Sequence, residues 1–149
     1  MTSNRFVIRF PNQLVKQPII YHLTKKYDIA FNILMARIMP NEEGLMVVEL
    51  SGEDENYQIG LEYLKDQGAD VQLLSKDVRR DDKRCTSCGA CITICPTGAL
   101  SIPDRKTMEV TFDVDKCVAC SLCAQACPPR AMHVTLNGIE GLKLIVLNK

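Results

Sequence analysis

Eight cysteines are the residues of this chain best equipped to do chemistry. All lie between Cys85 and Cys127, and residues 1–84 contain none. Cys85, Cys88, Cys91 and Cys95 are followed by Pro96, and Cys117, Cys120, Cys123 and Cys127 by Pro128. Each run reads Cys-x2-Cys-x2-Cys-x3-Cys-Pro, and every cysteine recurs 32 residues later. A zinc site pairs two Cys-x2-Cys units per ion and needs neither a third cysteine at that spacing nor Cys-Pro. A disulfide framework is normally spread along a chain that carries an export signal. A cubane of four irons needs one thiolate per iron, so eight thiols in two equal runs match two [4Fe-4S] clusters. No histidine stands in a run to raise the potential, and neither run lacks a ligand that would leave an iron open.

The flanks repeat with the cysteines. Cys95-Pro96-Thr97-Gly98-Ala99-Leu100 is matched by Cys127-Pro128-Pro129-Arg130-Ala131-Met132. This internal duplication predicts two similar loops about a pseudo-twofold axis. The run is the signature of bacterial-type two-cluster ferredoxins, which the C-terminal half resembles. The resemblance implies that the fourth cysteine of each run serves the other run's cluster. Cys85, Cys88, Cys91 and Cys127 then hold one cluster, and Cys117, Cys120, Cys123 and Cys95 the other. We expect each fourth cysteine at the start of a short helical turn, from which it reaches across.

Charge adds a further expectation. Residues 83–149 carry eight basic side chains against five acidic, a net of +3, whereas a thiolate-ligated cluster is an anion. Lys83, Arg84 and Lys116 stand just before the first cysteine of each run, and we expect them to offset cluster charge.

The elements ahead of the cysteines read as α+β. Phe6, Ile8 and Phe10 alternate in a half-buried strand. Pro11, Asn12 and Gln13 follow as a turn. Pro18 suits the first turn of a helix with Ile19, Leu23 and Tyr27 on one face. Residues 30–39 form a long apolar strand, Asn41-Glu42-Glu43-Gly44 a hairpin turn, and residues 45–50 a strand. Ser51 with Asp54 has the outline of a capping box. A second helix is expected over 53–67, closed by Gly68, and a last strand over 69–74. The order is β-α-β-β-α-β, the ferredoxin-like plan. Polar residues 75–82 read as a linker. Beyond the second run, 132–136 alternates, Asn137-Gly138 marks a turn, and 142–147 is a β-rich run. His22 and His133 stand alone and read as structural or surface residues.

Phe31-Asn32-Ile33-Leu34 carries the Asn-Ile-Leu triplet of the NIL domain, at the opening of the second strand. The N-terminal half therefore resembles that ACT-like domain, and the whole chain resembles the family that fuses a NIL domain to a two-cluster 4Fe-4S ferredoxin. The resemblance implies a NIL domain over 1–78 and a ferredoxin domain over 83–149. Some members serve as the iron–sulfur subunit of L-aspartate semialdehyde sulfurtransferase, which makes homocysteine for methionine biosynthesis. The resemblance thus implies electron transfer to a catalytic sulfurtransferase partner, and a homodimer through the NIL half. Two alternatives stand beside it: a methionine-sensing regulatory ferredoxin, and a general low-potential ferredoxin whose NIL half only dimerises.

Other classes fit poorly. Eighteen basic and eighteen acidic side chains cancel, which argues against a nucleic-acid binder driven by phosphate contacts. The apolar runs are too short for a membrane span, and the opening residues lack the apolar core of a secretory signal, so a cytoplasmic chain is expected. There is no GxGxxG, Walker motif or nucleophile elbow. If all eight cysteines bind iron, none remains to carry a persulfide, and the chain is an electron-transfer subunit without a catalytic residue of its own.

Overall fold

Alternating apolar residues build a sheet in the N-terminal half, and both of its faces are covered. The computed structural model describes residues 1–136. In chain order come β1 (Thr2–Phe10), α1 (Ile19–Tyr27), β2 (Ala30–Arg37), β3 (Gly44–Gly52), α2 (Asp54–Asp66) and β4 (Asp70–Leu73). The four strands form one antiparallel sheet in the order β2-β3-β1-β4. Phe6 lies opposite Val48 on one side and Leu73 on the other. Phe6, Ile8, Phe10, Met46, Val48 and Leu50 pack beneath Ile19, Leu23, Tyr57 and Leu64 of the two helices. This burial of aliphatic and aromatic side chains is the main source of stability for the unit.

Local signals explain the helix ends. Asp28 ends α1 in the left-handed region (φ 51°), with its N–H donated to the Thr24 carbonyl, and Lys25 and Lys26 favour the negative helix end. Gly68 takes φ 93° just beyond α2. The expected capping box does not form: Glu53 caps α2 without a side-chain bond. Ser51 is still in β3, which runs to Gly52, so Asp54 stands at the first position of α2 rather than the third that a capping box requires. Gly60 is needed for packing, because a Cβ there would run into Ile29 Cδ1 between the two helices.

The second face corrects the expectation of a half-buried strand. Val7 and Val47 are fully buried and Leu45 nearly so. They pack against Leu74, Val78, Leu100, Val110, Ala119, Ala131, Met132 and Leu136 in a second core shared with the cysteine-bearing half. Arg9, on the same face, is buried as well. Its guanidinium donates to Asp77 Oδ1 and Asp70 Oδ2, both at 3.1 Å. Burial raises the Asp77 carboxyl above the ordinary carboxylate range, and the Arg9 charge pulls the other way.

The expected linker is also structured. Residues 74–80 form the single turn α3 (Leu74–Asp77) and the strand β5 (Val78–Arg80). Leu74 and Val78, four residues apart, bury into the second core and anchor an otherwise charged stretch. Next come α4 (Ala90–Ile94), β6 (Leu100–Ser101), β7 (Thr111–Phe112), a 3-10 turn (Val114–Lys116), α5 (Leu122–Ala126) and β8 (Met132–Val134). β5 pairs antiparallel with β8, and β6 with β7. Thr135 N–H then donates to the Asp77 carbonyl at 2.7 Å. The far end of the cysteine-bearing half is thus sewn to the exit of the sheet. The Asn137-Gly138 turn and the 142–147 run lie outside the described residues.

Candidate metal centre

The sequence duplication is repeated in the backbone. Left-handed φ angles recur 32 residues apart: Ser87 (53°) with Ala119 (55°), Gly89 (79°) with Ser121 (65°), and Gly98 (68°) with Arg130 (55°). Non-glycine residues hold such angles at a cost, so the loop shape is required in both copies. The shape turns amides toward sulfur. Ser87 N–H donates to Cys85 Sγ and Ala119 N–H to Cys117 Sγ, each at 3.4 Å. Ala131 N–H donates to Cys127 Sγ at 3.2 Å. Successive amides aimed into one concavity make an anion-binding nest.

The fourth cysteine of each run sits elsewhere than expected. Cys95 and Cys127 cap the C-terminal ends of α4 and α5, their N–H groups donated to the Cys91 and Cys123 carbonyls. The helical turn lies ahead of these residues because the third cysteine opens it. The consequence for reach is the same. Cys85, Cys88, Cys91 and Cys127 line one open-mouthed cavity of about 310 Å3. Cys95, Cys117, Cys120 and Cys123 line a second of about 350 Å3. Within each quartet the sulfurs ring a space rather than meet at a point. Among the described residues, no three His, Cys, Asp or Glu side chains close on a single ion.

Charge couples the cysteines chiefly within each quartet, and also between them, since Cys91 adds to the rise at Cys123. Burial pushes the Cys91 thiol up, and charge on Cys127, Cys85 and Cys88 adds to it. Burial and the neighbouring Cys117 and Cys120 push Cys123 up to about 11. Burial likewise raises Cys117, with Cys120 and Cys95 adding to it. Burial works against a Cys95 thiolate, but amides of Thr97, Leu100 and Ala99 with the Thr97 hydroxyl outweigh it and lower that pKa. Four thiolates side by side are costly unless a multivalent cation shares their charge.

Two cations that touch the cysteine-bearing cavities or their backbone were not singled out by spacing. Lys83, Arg84 and Lys116 are exposed, and Lys116 pairs with Asp113 at 3.4 Å. Arg5, from β1, donates to Glu49 at 3.0 Å and to the Cys117 carbonyl at 2.9 Å. Arg80, at the end of β5, lines the first cavity. Its Nη1 is buried with no acceptor among the described residues. A buried, unpaired donor on a side chain that lines the cavity of four thiols fits a sulfur-rich anion seated there, so the residues present suit an iron–sulfur cluster. Neither arginine lies within a cysteine run, and Arg5 is brought near by the fold alone. His22 stacks on Tyr21 and His133 lies opposite Arg79 in the β5–β8 ladder, so neither joins the site.

Residues 4–73 match the NIL domain, and residues 65–131 match the 4Fe-4S dicluster domain. Two curated relatives are each named L-aspartate semialdehyde sulfurtransferase iron-sulfur subunit. That of Methanocaldococcus jannaschii is 34% identical over 86 residues, which is 58% of this chain and 64% of the relative. That of Methanosarcina acetivorans is 29% identical over 102 residues, 68% of this chain and 76% of the relative. The chain thus spans just under two thirds of the first relative's length. A crystal structure of the C-terminal domain of an ABC transporter ATP-binding protein from Enterococcus faecalis gives a TM-score of 0.43 at 22% identity. It covers 48% of this chain and 82% of that one. The resemblance read from Phe31-Asn32-Ile33-Leu34 and the cysteine runs is borne out. The chain is a mixed α/β protein with a NIL domain followed by a 4Fe-4S domain that binds iron–sulfur. No helix among the described residues is long and apolar enough to cross a membrane.

Proposed function

We propose that this chain carries two [4Fe-4S] clusters and passes electrons to a catalytic sulfurtransferase partner that makes homocysteine from aspartate semialdehyde. Cys85, Cys88, Cys91 and Cys127 hold one cluster; Cys117, Cys120, Cys123 and Cys95 hold the other. The observation that carries this reading is the pair of cysteine-ringed cavities, each completed by the fourth cysteine of the opposite run. The names of both relatives support the choice of partner. Each cluster, when bound, takes up and gives back one electron at a time.

The chain's own residues set the conditions for that exchange. Amides of Ser87, Ala119 and Ala131 point at cysteine sulfur and favour its anionic form. Leu100, Val110, Ala119 and Met132 keep the sulfur side of the module apolar, which limits water and holds potentials in place. Converting an aldehyde carbon to a thiol-bearing carbon with sulfide as the sulfur donor takes two electrons and two protons, as the oxygen leaves as water; a persulfide donor takes two more of each. Two one-electron centres match the first demand. With every cysteine committed to iron, the sulfur-carrying thiol and the aldehyde pocket belong to the partner.

The sheet order β2-β3-β1-β4, with both helices on one face, supports a ferredoxin-like, ACT-like plan for the NIL domain, placed over 1–78 with the ferredoxin domain over 83–149. The outer edge of β2, unpaired among the described residues, and half-exposed Ile33 on that strand support a homodimer through that domain. Anaerobic affinity purification from the native cell tests the function. The sulfurtransferase partner is expected to come down with this chain, and homocysteine formation is expected to fail when Cys85 or Cys117 is changed to Ser. Undiminished formation with a cluster-free chain would overturn it.

A further inference from the structure

Arg80 is held on every side except one. Its backbone lies in the β5–β8 ladder opposite Met132, and the next residue, Asp81, donates its N–H to the Ala131 carbonyl at 2.8 Å. Asp82 takes two of its guanidinium nitrogens, Nε at 2.9 Å and Nη2 at 2.8 Å. Nη1 is left buried and without an acceptor among the described residues, on a side chain that lines the cavity of Cys85, Cys88, Cys91 and Cys127. A buried guanidinium N–H left unpaired is costly, and its charge-assisted bond to an anion is among the stronger kinds. A seated cluster offers such an anion in its sulfide and thiolate sulfurs. On these grounds, and resting on the cluster reading above, we infer that Arg80 Nη1 donates a hydrogen bond to a sulfur of this first cluster and raises its reduction potential. Reduction adds negative charge to the cluster, so a fixed cationic donor stabilises the reduced form more than the oxidised one. Because β5 is the segment that leads out of the sheet, the arginine also ties the first cluster's potential to the junction of the two halves.

The test is an EPR-monitored redox titration of the anaerobically prepared full-length protein, with resonance Raman spectra of the Fe–S stretches. Arg80→Gln is expected to lower one of the two midpoint potentials, leave the other unmoved, and shift the stretches of one cluster only. Arg80→Lys keeps the charge without the fork and is expected to fall between wild type and Gln. Lys83→Gln removes an exposed cation nearby and is expected to move neither midpoint. Should Arg80→Gln fail to retain its iron, Asp82→Asn takes its place: it loosens the guanidinium and is expected to shift the Fe–S stretches of one cluster only, the readout there being the stretches because loss of the Asp82 charge itself acts to raise the midpoint. Full iron content with both midpoints and all stretches unchanged in Arg80→Gln, or with all stretches unchanged in Asp82→Asn when that replaces it, overturns the inference. A wild-type protein without iron and sulfide would instead overturn the cluster reading on which it rests.

Discussion

At the scale of single residues, the seam between the halves is held by charge as well as by apolar packing. Arg9 reaches Asp77 and Asp70 from a strand whose other seam residue, Val7, is wholly buried. Removing one partner of a buried pair leaves the other charge uncompensated. Asp77→Ala is therefore expected to destabilise the holo protein by about 3 kcal/mol, the low end for such a change because Asp70 remains; anaerobic denaturant unfolding measures it. The sign of the pH effect follows from the raised Asp77 pKa. A carboxyl raised on folding contributes stability in acid that is lost as pH rises through its folded pKa. The cost of Asp77→Asn is accordingly expected to shrink as pH rises through that range, and a cost that grows there would contradict the assignment.

At the scale of elements, the two loops act as one exchanged pair. If fourth cysteines cross, Cys95 and Cys117 serve the same cluster. The double variant Cys95→Ser with Cys117→Ser is expected to keep about half its iron, while Cys85→Ser with Cys95→Ser loses nearly all of it. Iron analysis after anaerobic purification decides, and the reverse pattern would show uncrossed ligation. In the other half, Gly60→Ala forces Ile29 aside between α1 and α2. It is expected to cost about 1–3 kcal/mol, read as a shift in the unfolding midpoint. The eight candidate cysteines stood out in the sequence because their spacing repeats, while their crossed division between two clusters came from the resemblance to two-cluster ferredoxins. The strands β1, β2, β3 and β4 and helices α1 and α2 were legible because alternation and helical spacing survive without partners. The second core was not. Val7 sits between Arg5 and Arg9, so the strand reads as having one solvated face, and only a packed neighbour turns it inward. Residues 74–80 were hidden in the same way, since their charges mask Leu74 and Val78. Arg5 carries no spacing signal, because tertiary contact alone brings it to Cys117, and Arg80, five residues before Cys85, reads in sequence as one of several linker charges.

At the scale of the molecule, the sheet and the cysteine-bearing half share one apolar core, to which Val7, Leu45 and Val47 belong on one side and buried Cys127 on the other. Cluster binding then contributes to the stability of both halves. Removing iron with a chelator is expected to speed amide exchange at Val7 and Val47 as well as in the cysteine loops; exchange confined to the loops would mean that the sheet stands alone. The central claim is that all eight thiols are taken up by two electron-carrying cubanes. Iron and sulfide analysis of anaerobically purified protein, with EPR after reduction on the same sample, tests it most directly. The account predicts about eight iron and eight sulfide per chain and a reduced signal from two interacting clusters. Colourless protein that holds zinc, or thiols joined as disulfides, would contradict it.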